Sequence, residues 1–301
     1  MGGIRNLFYA WARVVRLRFV LSSIMAVILG VSIVYYETAD TNAFFTILIL
    51  AGIVFLHFSI DLLNDYWDYI KGIDTSTKRT KFSGGTGVLP SGLLKAKHVY
   101  IAGLLFLILG SLIGIYFIVL RGPLIGVILG IAVFSVYTYS SKLVYNGLGE
   151  IFVTIKSALI VFGTYYVLTN SIEFIPFYNG VILGVLSSCV LLVTSFPDFD
   201  ADKSKGRKTL AINLGKERAI TLFPVLLVTP YIMIILGIVL NLVVIYSLIC
   251  FISLPYVYKA MISMRSTDPE GVLRAMQSTL IFARFTASML AISYLVAAFL
   301  P

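Results

Sequence analysis

An all-α polytopic membrane bundle of about nine transmembrane helices is the predicted fold class, and three observations predict it. The 301-residue chain is 59% hydrophobic and only 12% charged, a charged fraction about half that of an ordinary soluble domain. Apolar stretches long enough to cross a hydrocarbon core, which takes about 20 helical residues, recur near 19–36, 43–62, 98–120, 122–140, 148–169, 177–197, 219–240, 242–262 and 276–300. These stretches lack sustained period-two alternation and many contain Gly or Ala, which favours helices over a transmembrane barrel. Residues 1–301 therefore read as a single transmembrane domain.

The segment before span one carries Arg5, Arg13, Arg16 and Arg18. Span one is long and has no convincing cleavage site, so a signal peptide is the weaker reading. We expect an amphipathic helix with Leu7, Phe8, Trp11 and Val15 on the membrane surface and the arginines facing lipid phosphates. Spans two and six run into long polar loops, near 63–97 and 198–218, where function is expected to concentrate. Span five contains Lys156, with Glu150 six residues earlier, and Lys156 is long enough to snorkel to the interface, with a place facing the active cavity as the alternative for it, Arg284 and His57. Neither it, Arg284 nor His57 is assigned a catalytic role. Cys189 and Cys250 fall inside spans six and eight, with neither metal-ligand spacing nor a disulfide framework.

A net charge of +9 would suggest nucleic acid as a partner in a soluble protein, but its distribution follows topology instead. Lys and Arg concentrate in the N-terminal segment and in the loops after even-numbered spans. The opposite connections, Glu37-Thr38-Ala39-Asp40 and Asn170-Ser171-Ile172-Glu173, have none. The positive-inside rule places the N-terminus and the two long loops in the cytoplasm of a cell-membrane protein, with the C-terminus external.

Both long loops begin where an apolar helix meets acids. In Asp61-Leu62-Leu63-Asn64-Asp65-Tyr66-Trp67-Asp68, helical spacing puts Asn64 and Asp68 on one face and Asp61 and Asp65 on a neighbouring one. Asp198-Phe199-Asp200-Ala201-Asp202 repeats the pattern, with Asp198 and Asp202 one turn apart. Carboxylates beside a bilayer are costly and mark cation, proton or substrate pathways, and an oxygen-only set suits Mg²⁺ better than zinc. Mg²⁺ commonly takes one or two carboxylates and fills its other positions with water and phosphate oxygens, while the basic residues near both clusters supply complementary phosphate contacts. Ser83-Gly84-Gly85-Thr86-Gly87 is equally compatible with an anion-wrapping loop and with a flexible turn.

Asn64-Asp65-Tyr66-Trp67-Asp68-Tyr69 with Gly72 and Asp74, together with Asp198 to Asp202, resembles the motifs of the UbiA superfamily of intramembrane prenyltransferases. The likeness extends to Tyr137-Thr138-Tyr139-Ser140-Ser141-Lys142 before Gly147-Leu148-Gly149-Glu150, and to Gly206-Arg207-Lys208-Thr209-Leu210. Within the superfamily the chain is most similar to the menaquinone-pathway branch, which prenylates dihydroxynaphthoate. Gly72 and Ser195, where many members carry aspartate, also suit that branch.

The resemblance implies Mg²⁺-dependent transfer of a prenyl group from an allylic diphosphate to an aromatic acceptor within membrane lipid. Two ions are implied, held through the diphosphate by Asn64, Asp68, Asp198 and Asp202. Asp68, Asp198, Asp65 and Tyr139 are the implied catalytic residues, with Asp65 and Asp61 orienting ligands. Asn64, Lys142, Lys81, Arg207 and Lys208 are the implied diphosphate contacts. Tyr66, Trp67, Tyr69 and Tyr137 are expected either to line the reacting carbon or to form an interfacial belt. The same chemistry on a glycerol-phosphate ether lipid is the alternative acceptor reading. A secondary transporter is the alternative class, although its sites lie near the midplane rather than at charged helix ends.

Overall fold

The computed structural model describes residues 2–74, 84–138, 147–266 and 269–300. The N-terminal helix α1 (Gly2–Val14) is followed by α2 (Leu17–Thr38), α3 (Ala43–Ile70), α4 (Ala96–Arg121), α5 (Pro123–Thr138), α6 (Gly149–Thr169) and α7 (Phe174–Thr194). Two short helices, α8 (Phe199–Ser204) and α9 (Leu210–Leu214), lead into α10 (Lys216–Val239). A 3-10 helix (Ile245–Ser253) runs directly into α11 (Leu254–Arg265), and α12 (Pro269–Phe299) closes the chain. Among the described residues, eight segments are long and apolar enough to span a membrane and α5 is a shorter apolar helix. Among the described residues, each of the nine expected spans thus coincides largely with a helix.

Three helices differ from expectation in instructive ways. The amphipathic α1 forms, but only part of its apolar face lies outward: Leu7 and Phe8 are exposed, whereas Trp11 and Val15 pack with the buried Ala10 and Val14 against Leu62, Leu89 and Val99. The C-terminal end of α3 and the start of α4 offer an apolar shelf, so turning those two side chains inward buries more surface than laying them on lipid. Second, α3 continues beyond its apolar run to Ile70, which makes the whole acid motif helical. Third, span eight opens as nine residues of 3-10 helix. At about 2.0 Å rise per 3-10 residue and 1.5 Å per α residue, the composite reaches roughly 36 Å, more than a pure α-helix of the same length.

Close helix pairing relies on glycine where the backbones nearly touch. A Cβ at Gly184 of α7 would lie 2.5 Å from Thr154 Cα of α6, and one at Gly180 would lie 2.6 Å from Ala158 Cα. Small residues at such crossings let membrane helices pack by van der Waals contact, since burial from water contributes little between helices in lipid. The largest apolar core joins α2, α6, α7, α10, α11 and α12 through residues including Leu29, Ile182, Phe223 and Phe282. Within that core, Tyr231 Oη and Ser253 Oγ are 2.5 Å apart, and Ser253 Oγ lies 2.8 Å from Thr286 Oγ1, satisfying hydroxyls where span eight changes helix type. Between this core and the α3–α4 pair lies a cavity of about 1060 Å³, walled by α2 to α7 and α12 and bordered at one end by the acid motifs.

Candidate active site

The helical register of α3 sorts its acids by direction. Asn64 and Asp68 face the cavity and one another, with Asn64 Nδ2 donating to Asp68 Oδ2 at 3.3 Å. Asp65, a quarter-turn around, is fully buried and off the cavity wall. It accepts from Arg16 Nη2 at 3.1 Å and from Thr86 through Oγ1 at 2.7 Å and the amide at 3.3 Å. Arg16 reaches it because the α1–α2 junction turns in the left-handed region, with φ 46° at Arg16. Asp65 thus ties the chain entry and the glycine loop to α3 and makes no contact with the cavity.

The second motif meets the first through Arg207. Its guanidinium donates Nη1 to Asp202 Oδ1 at 3.2 Å and Nη2 to Asp68 Oδ1, bridging α8 to α3. Gly206, at φ 77°, makes the turn that follows α8 and leads into Arg207. Lys208, next in sequence, is exposed and absent from the cavity wall. Asp198 precedes α8 and accepts from the Gly84 amide at 3.0 Å. The described part of the glycine loop therefore staples the two motifs together, Gly84 to Asp198 and Thr86 to Asp65. At Gly85, φ is +70° and an added Cβ would overlap the Asp74 carboxylate.

Burial raises the carboxyls that lie outside the membrane-spanning helices. Asp74 is pushed up to about 7 by burial and the neighbouring Asp68 and Asp65, and Asp198 to about 6 by burial and Asp202. Asp202 is raised by burial and by Asp68, although Arg207 opposes the shift. Asp198 Oδ1 and Asp74 Oδ2 are buried and take no hydrogen bond from the described residues. Acceptor oxygens with this deficit of donors suit a hard cation. Among the described residues no three His, Cys, Asp or Glu side chains converge into a protein-only metal cage. The donor set fits an ion that completes its coordination with water and a phosphorylated ligand.

The aromatics expected either at the reacting carbon or in an interfacial belt lie off the cavity. Tyr66, Trp67, Tyr69 and Tyr137 are all absent from the cavity wall. Tyr66 and Tyr69 pack toward Leu89 and Val99, and the Tyr66 ring meets Tyr100 tilted at 40° with centroids 4.7 Å apart. The reason is angular: two and five residues beyond Asn64 is the far side of a 3.6-residue helix. Tyr139, Lys142 and Lys81 lie outside the described residues. Arg16, expected to face lipid phosphates, instead lines the cavity end and binds the buried Asp65, as does Thr86 of the glycine loop; neither spacing nor charge distinguishes the two in sequence from interface and turn residues.

The model of the UbiA prenyltransferase family matches residues 23–297. The chain belongs to the UbiA prenyltransferase family. It is a prenyltransferase and a multi-pass membrane protein. It is 25% identical over 285 residues to the 1,4-dihydroxy-2-naphthoate octaprenyltransferase of Bacillus subtilis, covering 92% of this chain and 89% of that one. The protein of the same name from Haemophilus influenzae is 31% identical over 185 residues, 58% of each chain. Among solved structures, a UbiA homolog from Archaeoglobus fulgidus bound to GPP and Mg²⁺ superposes with a TM-score of 0.65 at 15% identity, covering 93% of this chain and 99% of that one. The apo UbiA homolog from Aeropyrum pernix K1 gives 0.68 at 14% identity, covering 93% and 98%. Those two structures share the family's helical fold with this chain.

Proposed function

We propose that this UbiA-family enzyme transfers a prenyl group from an allylic polyprenyl diphosphate to a naphthoate-type aromatic acceptor of quinone biosynthesis, with Mg²⁺. The observation that carries the reading is the joining of two acid motifs, from α3 and α8, at the end of one cavity whose far wall is apolar. The names of the relatives in Bacillus and Haemophilus support the acceptor class, and the Mg²⁺ and GPP bound by the Archaeoglobus homolog support the donor.

Asn64, Asp68, Asp198 and Asp202 are the residues proposed to hold Mg²⁺, which when bound neutralises charge developing on the departing diphosphate. Arg207, held between Asp68 and Asp202, is proposed to offer its remaining N–H donors to phosphate oxygens. Asp65 holds Arg16 and Thr86 so that the mouth keeps its shape. The allylic carbon–oxygen bond breaks with its electron pair leaving on diphosphate, an electron pair of the acceptor ring forms the new carbon–carbon bond, and the group already on that ring carbon, a proton or the carboxylate as CO₂, departs and leaves its bonding pair to restore the aromatic ring. The apolar wall, including Ile53, Phe117 and Leu186, shields that carbon from water and receives the prenyl tail. Tyr139, Lys142 and Lys81 are assigned to the ring and diphosphate on motif alone. By the positive-inside rule the site opens to the cytoplasm of the cell membrane, with the C-terminus external, and residues 1–301 form one domain.

The test uses purified protein in detergent with Mg²⁺, a panel of allylic diphosphates, and dihydroxynaphthoate, 4-hydroxybenzoate or geranylgeranylglyceryl phosphate as acceptor. Dihydroxynaphthoate is expected to be prenylated and EDTA to stop the reaction. Prenylation of one of the other acceptors alone overturns the naphthoate assignment. If no acceptor reacts, and Asp68→Ala and Asp198→Ala leave diphosphate binding unchanged, the whole reading is overturned.

A further inference from the structure

A second polar cluster lies in the same cavity, on the membrane side of the acid motifs. His57 stands two turns before Asn64 on α3, which places it roughly 10 Å further along the helix axis. Its Nδ1 is 2.7 Å from Ser23 Oγ of α2, and its Nε2 is 3.5 Å from Asp61 Oδ2, one turn further along α3. Lys156 of α6 completes the group: Ser23, His57, Asp61 and Lys156 all line the cavity, and the lysine charge acts on both Asp61 and His57. None of these side chains is among those proposed to bind metal or diphosphate.

Two members are left short of partners. Asp61 Oδ2 is buried and receives no hydrogen bond from the described residues. Lys156 makes no hydrogen bond or ion pair among the described residues, and its ammonium is beyond ion-pair distance from Asp61. A carboxylate oxygen whose neighbouring donor, His57 Nε2, stands off at 3.5 Å, and a cation with no partner, cost free energy inside a membrane protein until something polar meets them. Because they are too far apart to satisfy each other, a ligand that bridges them resolves both costs. It must offer a hydroxyl donor to Asp61 and an anionic acceptor to Lys156. The same two helices also line the cavity with apolar side chains, Ile53 from α3 and Phe152 and Leu159 from α6, so the ligand body must be apolar as well.

Resting on the prenyltransferase reading above, we infer that Lys156 and Asp61, with Asp61 steadied by the Ser23–His57 pair, form the acceptor subsite. This subsite selects an aromatic ring bearing both a hydroxyl and a carboxylate. Lys156 takes the carboxylate, Asp61 the hydroxyl, and the ring lies in the apolar space beneath the diphosphate end of the cavity. The residues are specificity determinants for the acceptor and have no part in holding the prenyl donor.

The experiment compares 1,4-dihydroxy-2-naphthoate with 1,4-dihydroxynaphthalene, which lacks the carboxylate, at saturating prenyl diphosphate. Lys156→Met keeps the apolar length of the side chain and removes the charge. Loss of one charge-assisted hydrogen bond is expected to raise KM for the carboxylated acceptor about tenfold or more. KM for dihydroxynaphthalene and for the prenyl diphosphate should stay within about twofold, below the effect expected of such a bond. Lys156→Arg should restore part of the preference. Equal changes for both acceptors, or none, overturn the inference, and an unchanged diphosphate KM shows that the variant is folded. Should the parent prenylate neither acceptor, equilibrium dialysis of 1-hydroxy-2-naphthoate decides the subsite separately. Binding lost in Lys156→Met upholds it even as the activity reading fails, whereas unchanged or absent binding overturns it.

Discussion

Replacing Arg207 with glutamine removes the cation between two buried carboxylates while keeping a side chain that can still donate one hydrogen bond. Arg207 is 13% exposed and its partners Asp68 and Asp202 are 6% and 4% exposed, so solvent cannot take over the contact. Removing one member of a buried ion pair costs about 3–5 kcal/mol, chiefly because the partner is left charged and unpaired. Here two carboxylates are left, but each can gain a proton, which places the expected loss near the lower figure, about 3 kcal/mol. At about 2 °C per kcal/mol for a large domain, the apparent unfolding temperature in detergent with EDTA should fall by roughly 6 °C. Mg²⁺ with diphosphate supplies replacement positive charge, so it should stabilise Arg207→Gln by more than it stabilises the parent. Arg207→Lys should recover only part of the loss, because a point charge cannot bridge two carboxylates as a planar fork does. Scanning fluorimetry of the three proteins in EDTA and in Mg²⁺ with diphosphate reads every one of these states. An Arg207→Gln protein that unfolds at the parent temperature without metal, or gains no more from Mg²⁺ than the parent, would refute the reasoning.

Gly85→Ala places a methyl on the Asp74 carboxylate at φ +70°, and misplacement of this order should lower kcat/KM by about tenfold to a hundredfold. Gly92→Ala, with a similar φ of +69° but open space around it, is the control, and equal loss in both would assign the effect to backbone strain alone. The raised carboxyls fix a pH dependence: with Asp74 near 7 and Asp198 near 6 in the folded protein, the native state binds more protons than the unfolded chain above about pH 4. Stability of the metal-free protein should therefore fall from pH 5 to pH 8, and Mg²⁺ should restore more at pH 8, where it does not compete with protons; a flat or rising profile in EDTA contradicts this. Gly184→Leu forces a side chain against the Thr154 backbone and should destabilise the α6–α7 pair by about 3 kcal/mol, measured by unfolding in mixed detergent.

Much of this molecule is written locally. Apolar runs of spanning length require helices, because a backbone in hydrocarbon must satisfy its own hydrogen bonds. The spacing of Asn64 and Asp68 forces them onto one face, and the structure shows their contact at 3.3 Å. The same angular logic turns Tyr66 and Tyr69 away from the cavity, although aromatic type alone had left them on either side. The 3-10 opening of span eight is not legible in hydropathy, since both helix types present a continuous apolar surface.

What the sequence determined by itself is the membrane bundle, its acid-tipped helices and the face on which each acid lies, for these follow from backbone satisfaction and a 3.6-residue period. The partners were decided by tertiary structure: Arg207 on Asp68 across 139 residues, Arg16 on Asp65 across 49, Gly84 on Asp198 across 114, and Lys156 facing Asp61 and His57. A basic residue in a loop has the same local signature whether it marks topology, waits for phosphate or closes on a buried carboxylate. Only the packing of distant helices brings the opposite charge within reach and excludes the water that would otherwise screen it.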